Sequence, residues 1–241
     1  MKVSCQCITY NRPELLEESI ESFLRQDYKG KKELVILNDT PQQILKFNHP
    51  EVIIINIPRR FGTIGEKRNA CVSLCSGDII FPWDDDDISL PWRISLSLQY
   101  KDKNRYFKNK RAWIWSGGIL KPEPGYNSYH AMGCWDRSLF VQVGGYPIMQ
   151  SGQDTALENK YKETGERNVT KLPLEELFYI YRFGGTGSPH LSSYGRNNGW
   201  AEIGKRKIER VGLISLSPHW RQDYVGMTKK AINNIKDKDK N

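Results

Sequence analysis

The first hundred residues alternate between short apolar runs and amphipathic stretches, and this alternation limits the fold more than any other feature. The apolar runs that we predict as strands are residues 2–9, 33–37, 52–57 and 78–83. Between them, apolar residues at helical spacing predict helices over 14–26 and 63–75. Strands and helices in alternation predict an α/β fold with a mostly parallel sheet that is flanked by helices.

Polar side chains follow three of the predicted strands at the point where each strand ends. These ends are Thr9-Tyr10-Asn11, Asn38-Asp39 and Asp84–Asp87. In open parallel sheets, ligands bind beyond the carboxyl ends of the strands. The sequence therefore predicts a binding site where these three strand ends meet.

The four consecutive aspartates Asp84–Asp87 set the chemistry expected of that site. Adjacent carboxylates repel one another unless they are solvated or bound to a cation. A solvated loop that caps the next helix is the usual outcome for an arbitrary acidic run. Here an apolar strand that ends at Trp83 delivers the run to the edge of a sheet. Oxygen-rich sites of this kind suit Mg²⁺ or Mn²⁺, which bridge carboxylates and substrate phosphates.

The balance of charge favours anionic partners. Lys and Arg number 36 and Asp and Glu 28, a formal net charge of +8. The excess is concentrated in residues 101–111 and 201–241, and it suits nucleotide phosphates, nucleic acid or acidic glycans.

No apolar stretch approaches the length of a membrane span, and the first residues lack the layout of a signal peptide. We therefore expect a cytoplasmic protein, in the host cytoplasm if the chain comes from a phage.

The cysteines indicate neither a disulfide framework nor a zinc site. They are Cys5, Cys7, Cys71, Cys75 and Cys134. Their odd number argues against a set of disulfides, and no pair has the two-residue gap of a zinc knuckle. We expect five buried free thiols.

An ordered series of motifs resembles the family-2 glycosyltransferases. Gly65, Arg68-Asn69, Gly77-Asp78, the strand 79–83 and Asp84–Asp87 resemble the region that leads to the family's Asp-x-Asp-Asp motif. The opening Thr9-Tyr10-Asn11-Arg12 and Asn38-Asp39 resemble its first two strand motifs. Further on, Val143-Gly144-Gly145-Tyr146 and residues 152–157 resemble its Gly-Gly-Tyr and Glu-Asp-x-x-Leu elements. The match covers about residues 2–160 in the expected order and implies the GT-A fold, which is Rossmann-like.

The resemblance implies a nucleotide-sugar site and a metal site. The residues implied for the nucleotide sugar are Thr9, Tyr10, Asn11, Arg12, Asp39, Gly65, Arg68, Asn69, Asp84 and Asp85. Asp39 would hold the base with Thr9 and Tyr10, and Arg68 would lie near the base or the diphosphate. Asp86 would ligate Mn²⁺ or Mg²⁺ directly, and Asp84 would reach the metal indirectly or contact the ribose. His190 resembles a late histidine that completes the metal shell in some GT-A enzymes, although an isolated histidine is also commonly structural.

Asp154 is the general base that the resemblance implies. An inverting transferase needs one carboxylate to accept the proton of the acceptor hydroxyl as its oxygen attacks the anomeric carbon. The residue before this aspartate is usually Glu in the family, whereas here it is Gln153. By position alone, Asp154 would be read as a helix N-cap.

The implied function is a metal-dependent inverting glycosyltransferase with a nucleoside-diphosphate sugar, for which we expect UDP. The chain resembles small stand-alone members, so the expected acceptor is a hydroxyl of a glycan or of a hydroxymethylated DNA base. We expect a GT-A catalytic domain over 1–190, with a nucleotide-sugar half at 1–90 and an acceptor half at 110–190. A basic C-terminal extension would follow at 191–241.

Two other functions remain open from the sequence. A nucleotidyltransferase acting on sugar phosphates would also use a parallel sheet and acidic metal ligands. It would need a Gly-rich loop after the first strand, where this chain has Tyr10-Asn11-Arg12-Pro13. A non-enzymatic nucleic-acid-binding protein would explain the net charge and the Tyr106-Phe107 pair in a basic cluster. The acidic run argues against it, because carboxylates without a bound metal repel phosphate.

Overall fold

A computed structural model describes residues 1–116, 118–123, 129–182, 208 and 210–238. In this part of the chain the largest sheet has seven strands. In spatial order they are β11 (Arg167–Thr170), β7 (Tyr106–Asn109), β10 (Gly133–Asp136), β5 (Ile79–Pro82), β1 (Lys2–Thr9), β2 (Lys31–Asn38) and β4 (Val52–Asn56). The predicted mostly parallel sheet is confirmed, because β1 pairs in parallel with β2 and β5, and β2 pairs in parallel with β4.

Strand direction brings most carboxyl ends to one edge of this sheet, which we call the rim. The strand β10 is antiparallel to both β5 and β7, so β7 runs in the same direction as β5. The strand β11 is parallel to β7. The strand ends Thr9, Asn38, Pro82, Asn109 and Thr170 therefore all face the rim.

Helices flank the sheet as expected for this class. They are α1 (Pro13–Leu24), α2 (Ile64–Leu74), α3 (Arg93–Lys101), α4 (Arg137–Gln142) and α5 (Gln153–Glu163). Pro13 opens α1, where its missing N–H costs nothing, and Leu16, Ile20 and Phe23 form the buried face of this helix. The side chain of Thr63 caps α2 by accepting a hydrogen bond from the Glu66 amide at 3.1 Å.

Side chains of successive residues on each strand enter opposite layers of the core. On β2, Leu34 and Ile36 join one buried apolar cluster, whereas Val35 and Leu37 join the other. Because both faces of the strand are covered, its sequence is continuously apolar rather than alternating. The five cysteines are buried and free, as predicted.

A second sheet of four strands lies beside the rim in the described residues. Its spatial order is β6 (Ile88–Ser89), β12 (Tyr179–Arg182), β8 (Trp113–Ser116) and β9 (Ile119–Pro122). The short strand β6 directly follows the acidic run and pairs with Tyr179 and Ile180 of β12. This pairing brings β12 against Asp84–Asp87.

Residues 210–238, which lie within the basic segment 191–241, pack onto the N-terminal part of the chain. The strand β13 (Gly212–Ser215) pairs in parallel with β3 (Gln43–Lys46), and the helix α6 (Tyr224–Lys238) follows. The indole N–H of Trp220 donates to the Ser22 hydroxyl of α1 at 3.0 Å. The Arg25 guanidinium lies 4.5 Å from the centre of the same indole. Among the described residues, no helix combines the length and apolar character needed to cross a membrane.

Candidate functional site

Arg12 joins the end of β1 to the acidic run at the rim. Its Nε lies 2.9 Å from Oδ2 of Asp85, and its Nη2 lies 2.6 Å from Oδ1 of the same carboxylate. A third nitrogen, Nη1, donates to Oδ2 of Asp86 at 2.7 Å. Asn11 turns the chain just before this residue with φ 53°, a conformation that asparagine tolerates better than most residues. One guanidinium therefore neutralises two of the four adjacent carboxylates.

The four aspartates differ in how far they reach solvent. Asp85, Asp86 and Asp87 are at most 2% exposed, whereas the Asp84 side chain is 32% exposed. Burial, together with the neighbouring Asp86 charge, raises the pKa of Asp85 to about 6 against the opposing effects of Arg12, Thr9 and Lys67. Asp84 is therefore the carboxylate of the run most accessible to a ligand.

Tyr179 and Arg182 of β12 form hydrogen bonds to the acidic run. The Tyr179 hydroxyl lies 3.0 Å from Asp84 Oδ2 and 2.5 Å from Asp87 Oδ2. Burial and the charges of these two aspartates raise the pKa of Tyr179, so the phenol remains a donor. The Arg182 amide donates to Asp87 Oδ1 at 2.8 Å, and its side chain donates to the Asp86 carbonyl. Asp87 thus ties the run to β12.

Asp39 lies at the end of β2 and binds Lys67 of α2. The Lys67 ammonium forms an ion pair with Asp39 Oδ1 and donates to the Thr9 carbonyl at 2.6 Å. Asp39 Oδ2 accepts from the Phe61 amide at 3.0 Å. Burial lowers the pKa of Lys67, although the Asp39 charge opposes this. The sequence analysis missed Lys67, which connects two of the predicted nucleotide-binding residues.

Tyr10 directly follows Thr9, whose carbonyl binds Lys67, and a cation lies over its ring. The Arg60 guanidinium lies 4.4 Å from the centre of the Tyr10 ring. A guanidinium at this distance is attracted by the ring electrons. Tyr10, Arg60 and the Asp39–Lys67 pair together form the β2 side of the rim.

Gly65 and Asn69 join α2 to the Gly-Gly-Tyr turn. A Cβ at Gly65 would lie 1.9 Å from the Pro147 carbonyl oxygen, so only glycine fits this approach. The Asn69 amide donates to the Tyr146 carbonyl at 2.8 Å and accepts from the Tyr146 amide at 2.9 Å. These contacts hold α2 against the Gly-Gly-Tyr turn. The predicted contact of both residues with a nucleotide sugar stays a prediction.

Arg68 lies between the acidic run and the start of α5. Its Nη2 is 4.0 Å from Asp84 Oδ1, and its guanidinium is 5.5 Å from the centre of the Tyr146 ring. Burial lowers the pKa of Arg68, but Tyr146, Asp84 and Asp154 outweigh this and raise it. Arg68 is therefore a permanent cation between two acidic groups.

Asp154 lies in the first turn of α5 and is partly exposed. Its Oδ1 accepts from the Thr155 amide at 2.8 Å. Burial raises the pKa of Asp154, but the charge of Arg68 and hydrogen bonds from the backbone lower it overall. The preceding Gln153 is only 5% exposed, so its side chain points into the protein. Asp154 is thus an ionised carboxylate that solvent can reach.

The rim carries the right type of ligand for a hard cation, although the described residues contain no group of three or more candidate metal-binding side chains. Carboxylate oxygens suit Mg²⁺ and Mn²⁺, and Asp84 presents an accessible carboxylate. Asp86 already binds Arg12 through Oδ2, so a metal ion would compete with Arg12 for that atom. The predicted ligand His190 lies outside the described residues.

Comparison with known sequences agrees with this geometry. The sequence model of Glycosyl transferase family 2 matches residues 4–115. The uncharacterized glycosyltransferase YwdF of Bacillus subtilis (strain 168) is 38% identical over 98 residues, 39% of this chain and 36% of that protein. The putative colanic acid biosynthesis glycosyl transferase WcaA of Escherichia coli (strain K12) is 32% identical over 108 residues, 42% of this chain and 38% of that protein. The aligned part thus spans well under two thirds of either relative.

Solved glycosyltransferases share the fold over most of the chain. The structure of S. aureus TarS 1-349 in complex with UDP-GlcNAc superposes with a TM-score of 0.61 at 17% identity, covering 80% of this chain and 61% of that chain. The mannosyltransferase PcManGT from Pyrobaculum calidifontis, in complex with GDP-Man and Mn²⁺, gives a TM-score of 0.56 at 16% identity, covering 78% and 58%. Residues 4–115 thus match family 2 of the glycosyltransferases in sequence, and the chain shares the GT-A fold of the solved enzymes.

Proposed function

We propose that the chain is a metal-dependent inverting glycosyltransferase, which moves a sugar from a nucleoside diphosphate to an acceptor hydroxyl. The position of Arg68 carries this proposal. Its guanidinium lies 4.0 Å from Asp84 on one side, and its charge lowers the pKa of Asp154 on the other. Arg68 therefore offers a cation to the donor diphosphate, with Asp84 as a proposed metal ligand on one side and Asp154 as a proposed base on the other.

The donor would bind along the β1 and β2 ends of the rim. Tyr10 and Asp39 are the proposed partners of the base, and Arg68 and Arg12 are the proposed partners of the diphosphate. The neighbours' complexes with UDP-GlcNAc and with GDP-Man support a nucleotide-sugar donor, and for this chain we propose UDP. Mn²⁺ or Mg²⁺, held by Asp84 and by Asp86, would neutralise charge on the leaving diphosphate.

Asp154 is the proposed general base. The acceptor oxygen attacks the anomeric carbon, the bond from that carbon to the diphosphate oxygen breaks, and its electron pair leaves with the nucleoside diphosphate. The acceptor proton passes to a carboxylate oxygen of Asp154. The lowered pKa of Asp154 keeps this carboxylate ionised and ready to accept the proton.

The acceptor side of the rim is basic. Lys110, Arg111 and Lys171 follow the ends of β7 and β11, and the Lys110 amide donates to the Thr170 carbonyl at 2.8 Å. The buried Asn109 side chain accepts from the Arg111 and Leu172 amides at 3.1 and 3.2 Å and thereby fixes both turns. We propose an anionic acceptor, either an acidic glycan or DNA with hydroxymethylated bases, because these cations attract phosphate or carboxylate groups.

A donor assay tests the function directly. The chain is incubated with a panel of nucleotide sugars, with and without Mn²⁺, and release of the nucleoside diphosphate is measured. We expect release with one donor, dependence on the cation, and a loss of about 100-fold or more in Asp154→Asn. Asp102→Asn is the matched control, because Asp102 is exposed at the opposite edge and its positive φ suits asparagine. The proposal fails if no nucleotide diphosphate with Mn²⁺ raises the melting temperature.

A second assay separates the acceptors. Glycosylation of hydroxymethylated duplex DNA and of acidic glycans is compared for the unaltered chain and for a variant with Lys110, Arg111 and Lys171 changed to Ala. We expect the variant to lose affinity for its acceptor and to show a weaker dependence on salt, with donor hydrolysis unchanged. Equal acceptor affinity in both proteins would contradict an anionic acceptor at this surface.

A further inference from the structure

Four buried side chains and the partly exposed Glu158 form a continuous hydrogen-bonded series below the rim, which we call the relay. Lys108 Nζ lies 2.6 Å from both oxygens of Glu158, and Glu158 Oε1 lies 2.8 Å from His130 Nδ1. His130 Nε2 lies 2.8 Å from the Tyr146 hydroxyl, to which Gln6 Nε2 donates at 3.2 Å. Lys108, His130, Tyr146 and Gln6 are at most 8% exposed. Neither the sequence motifs nor the proposed chemistry uses His130 or Glu158.

The hydrogen bonds of the relay converge on Glu158, which accepts from Lys108 at one end and from His130 on its other side. The Glu158 carboxylate only accepts, so His130 carries its proton on Nδ1. The Gln6 amide nitrogen donates to the Tyr146 oxygen, which leaves the hydrogen of the Tyr146 hydroxyl available to His130 Nε2. With Nδ1 protonated and Nε2 accepting from Tyr146, His130 is neutral. Burial, the largest effect on the ring, also lowers the pKa of His130.

The relay touches both sides of the proposed reaction. On the donor side, Tyr146 lies under the guanidinium of Arg68. On the acceptor side, Glu158 follows Asp154 by four residues and therefore lies one turn further along the same face of α5. The charged groups that face His130 are Glu158 and Asp154 of α5 and Arg68 of α2. His130 stands at the middle of the series, between Glu158 and Tyr146.

We propose that His130 is a positioning residue for glycosyl transfer. Through Tyr146 it sets the place of Arg68, and through Glu158 it sets the place of α5 and its Asp154. This role rests on the proposed function: His130 would keep Arg68, which binds the donor, and Asp154, the base, at the correct positions relative to each other. A misplacement of about 1 Å between reacting groups can cost about 100-fold in rate.

Two variants of His130 separate its two hydrogen bonds. In His130→Asn the side-chain amide can replace Nδ1 and keep Glu158, but it does not reach Tyr146. In His130→Gln the longer side chain can replace Nε2 and keep Tyr146, but it leaves Glu158. Tyr146→Phe removes the hydroxyl alone and leaves the ring under Arg68. We expect each variant to lower kcat by about 10-fold to 100-fold, with a smaller loss of affinity for UDP and Mn²⁺.

The double variant His130→Asn with Tyr146→Phe gives the decisive measurement. Because both changes break the same bond, we expect its kcat to match that of the worse single variant rather than the product of the two losses. The ¹⁵N spectrum of the unaltered protein should show one histidine as the neutral Nδ1–H form, and this signal should be missing in His130→Asn.

The outcomes separate this inference from the function on which it rests. Full kcat in folded His130→Asn and Tyr146→Phe would overturn the positioning role alone. A matched fall in kcat, UDP binding and melting temperature would also overturn it, because it would show a role only in folding. If the unaltered chain transfers no sugar from any donor, the proposed function fails and the inference fails with it.

Discussion

Arg182 Nη1 donates to Glu18 Oε2 at 2.5 Å, and both side chains are at most 4% exposed. The second oxygen of Glu18 accepts from the Tyr224 hydroxyl at 2.6 Å and from the Arg221 amide at 3.1 Å. Arg182 in turn donates to the Asp86 carbonyl. One buried ion pair therefore links α1, β12 and α6 to the loop that carries the acidic run.

Replacing Glu18 should destabilise the protein and make its stability depend less on pH in the acid range. Glu18→Gln leaves Arg182 without its counter-charge, which costs about 3–5 kcal/mol in the free energy of unfolding. Burial raises the pKa of Glu18, but Arg182 and Tyr224 outweigh this and lower it from 4.5. The stabilisation is therefore complete above about pH 4.5 and is lost as the pH falls through the folded-state pKa.

The measurement for Glu18 is thermal unfolding of both proteins between pH 7 and pH 3. The difference in melting temperature between the unaltered chain and Glu18→Gln should become smaller as the pH falls. Glu21→Gln serves as the control, because its i,i+4 pair with the half-exposed Arg25 is worth no more than about 1 kcal/mol. A gap that stays constant down to pH 3 would show that Glu18 does not act through its charge.

Tyr224→Phe should remove one hydrogen bond to the buried Glu18–Arg182 ion pair and lower the stability of the protein without disturbing the packing of the ring. The ring of Tyr224 lies edge-on to Trp115 and Trp220, with centroid distances of 5.7 and 5.4 Å, and phenylalanine keeps these contacts. Loss of a hydrogen bond to a charged acceptor should cost about 1.5–3 kcal/mol. Urea unfolding gives the value, with the partly exposed Tyr28→Phe as the comparison. A cost below that of Tyr28→Phe would rule out a stabilising bond to Glu18.

Gly65→Ala should shift the Gly-Gly-Tyr turn away from α2. The new methyl group would meet the backbone oxygen of Pro147 at 1.9 Å, so α2 or the turn must move. Overpacking of this kind costs about 1–3 kcal/mol. In Gly62→Ala the methyl group meets only the end of the Glu66 side chain at 3.2 Å, so we expect a smaller loss. Equal melting temperatures for the two variants would contradict the close approach of Gly65.

Arg12→Met should make the stability of the protein depend more strongly on a divalent cation. Without the guanidinium, Asp85 and Asp86 repel each other inside the protein, which lowers the melting temperature. Mn²⁺ should then raise the melting temperature of Arg12→Met by more than that of the unaltered chain. Arg60→Met, which loses only a cation over the Tyr10 ring, should respond to Mn²⁺ as the unaltered chain does. An equal response of all three proteins would show that no cation takes the place of Arg12.

The central strands could be predicted because each is a continuous apolar run that ends in polar residues. Strand β7 could not, since it lies within the most basic stretch of the chain, 101–111. It is nevertheless an interior strand, paired with β10 and β11, and its Lys108 is buried against Glu158. The compensating carboxylate lies 50 residues further along the chain, so local composition predicts a solvated loop instead.

The same reason explains which site residues were missed. Motifs predicted Arg12, Asp39 and Asp84 because they follow strands at the rim, but Glu18 and its partner Arg182 are 164 residues apart. Lys67 had a local signal, since it shares the buried face of α2 with Cys71 four residues later. A lysine on an apolar helix face predicts a buried counter-ion, which is Asp39.

The contact between Tyr224 and Glu18 has a consequence for how the chain folds. The two residues are 206 positions apart, so Glu18 has no contact with this partner until residue 224 has emerged from the ribosome. Contacts of such long range form late, because the entropy of closing the intervening loop must be overcome first. We therefore expect the loop that holds Asp84 and Asp86, which Arg182 joins to Glu18, to reach its final form late in folding.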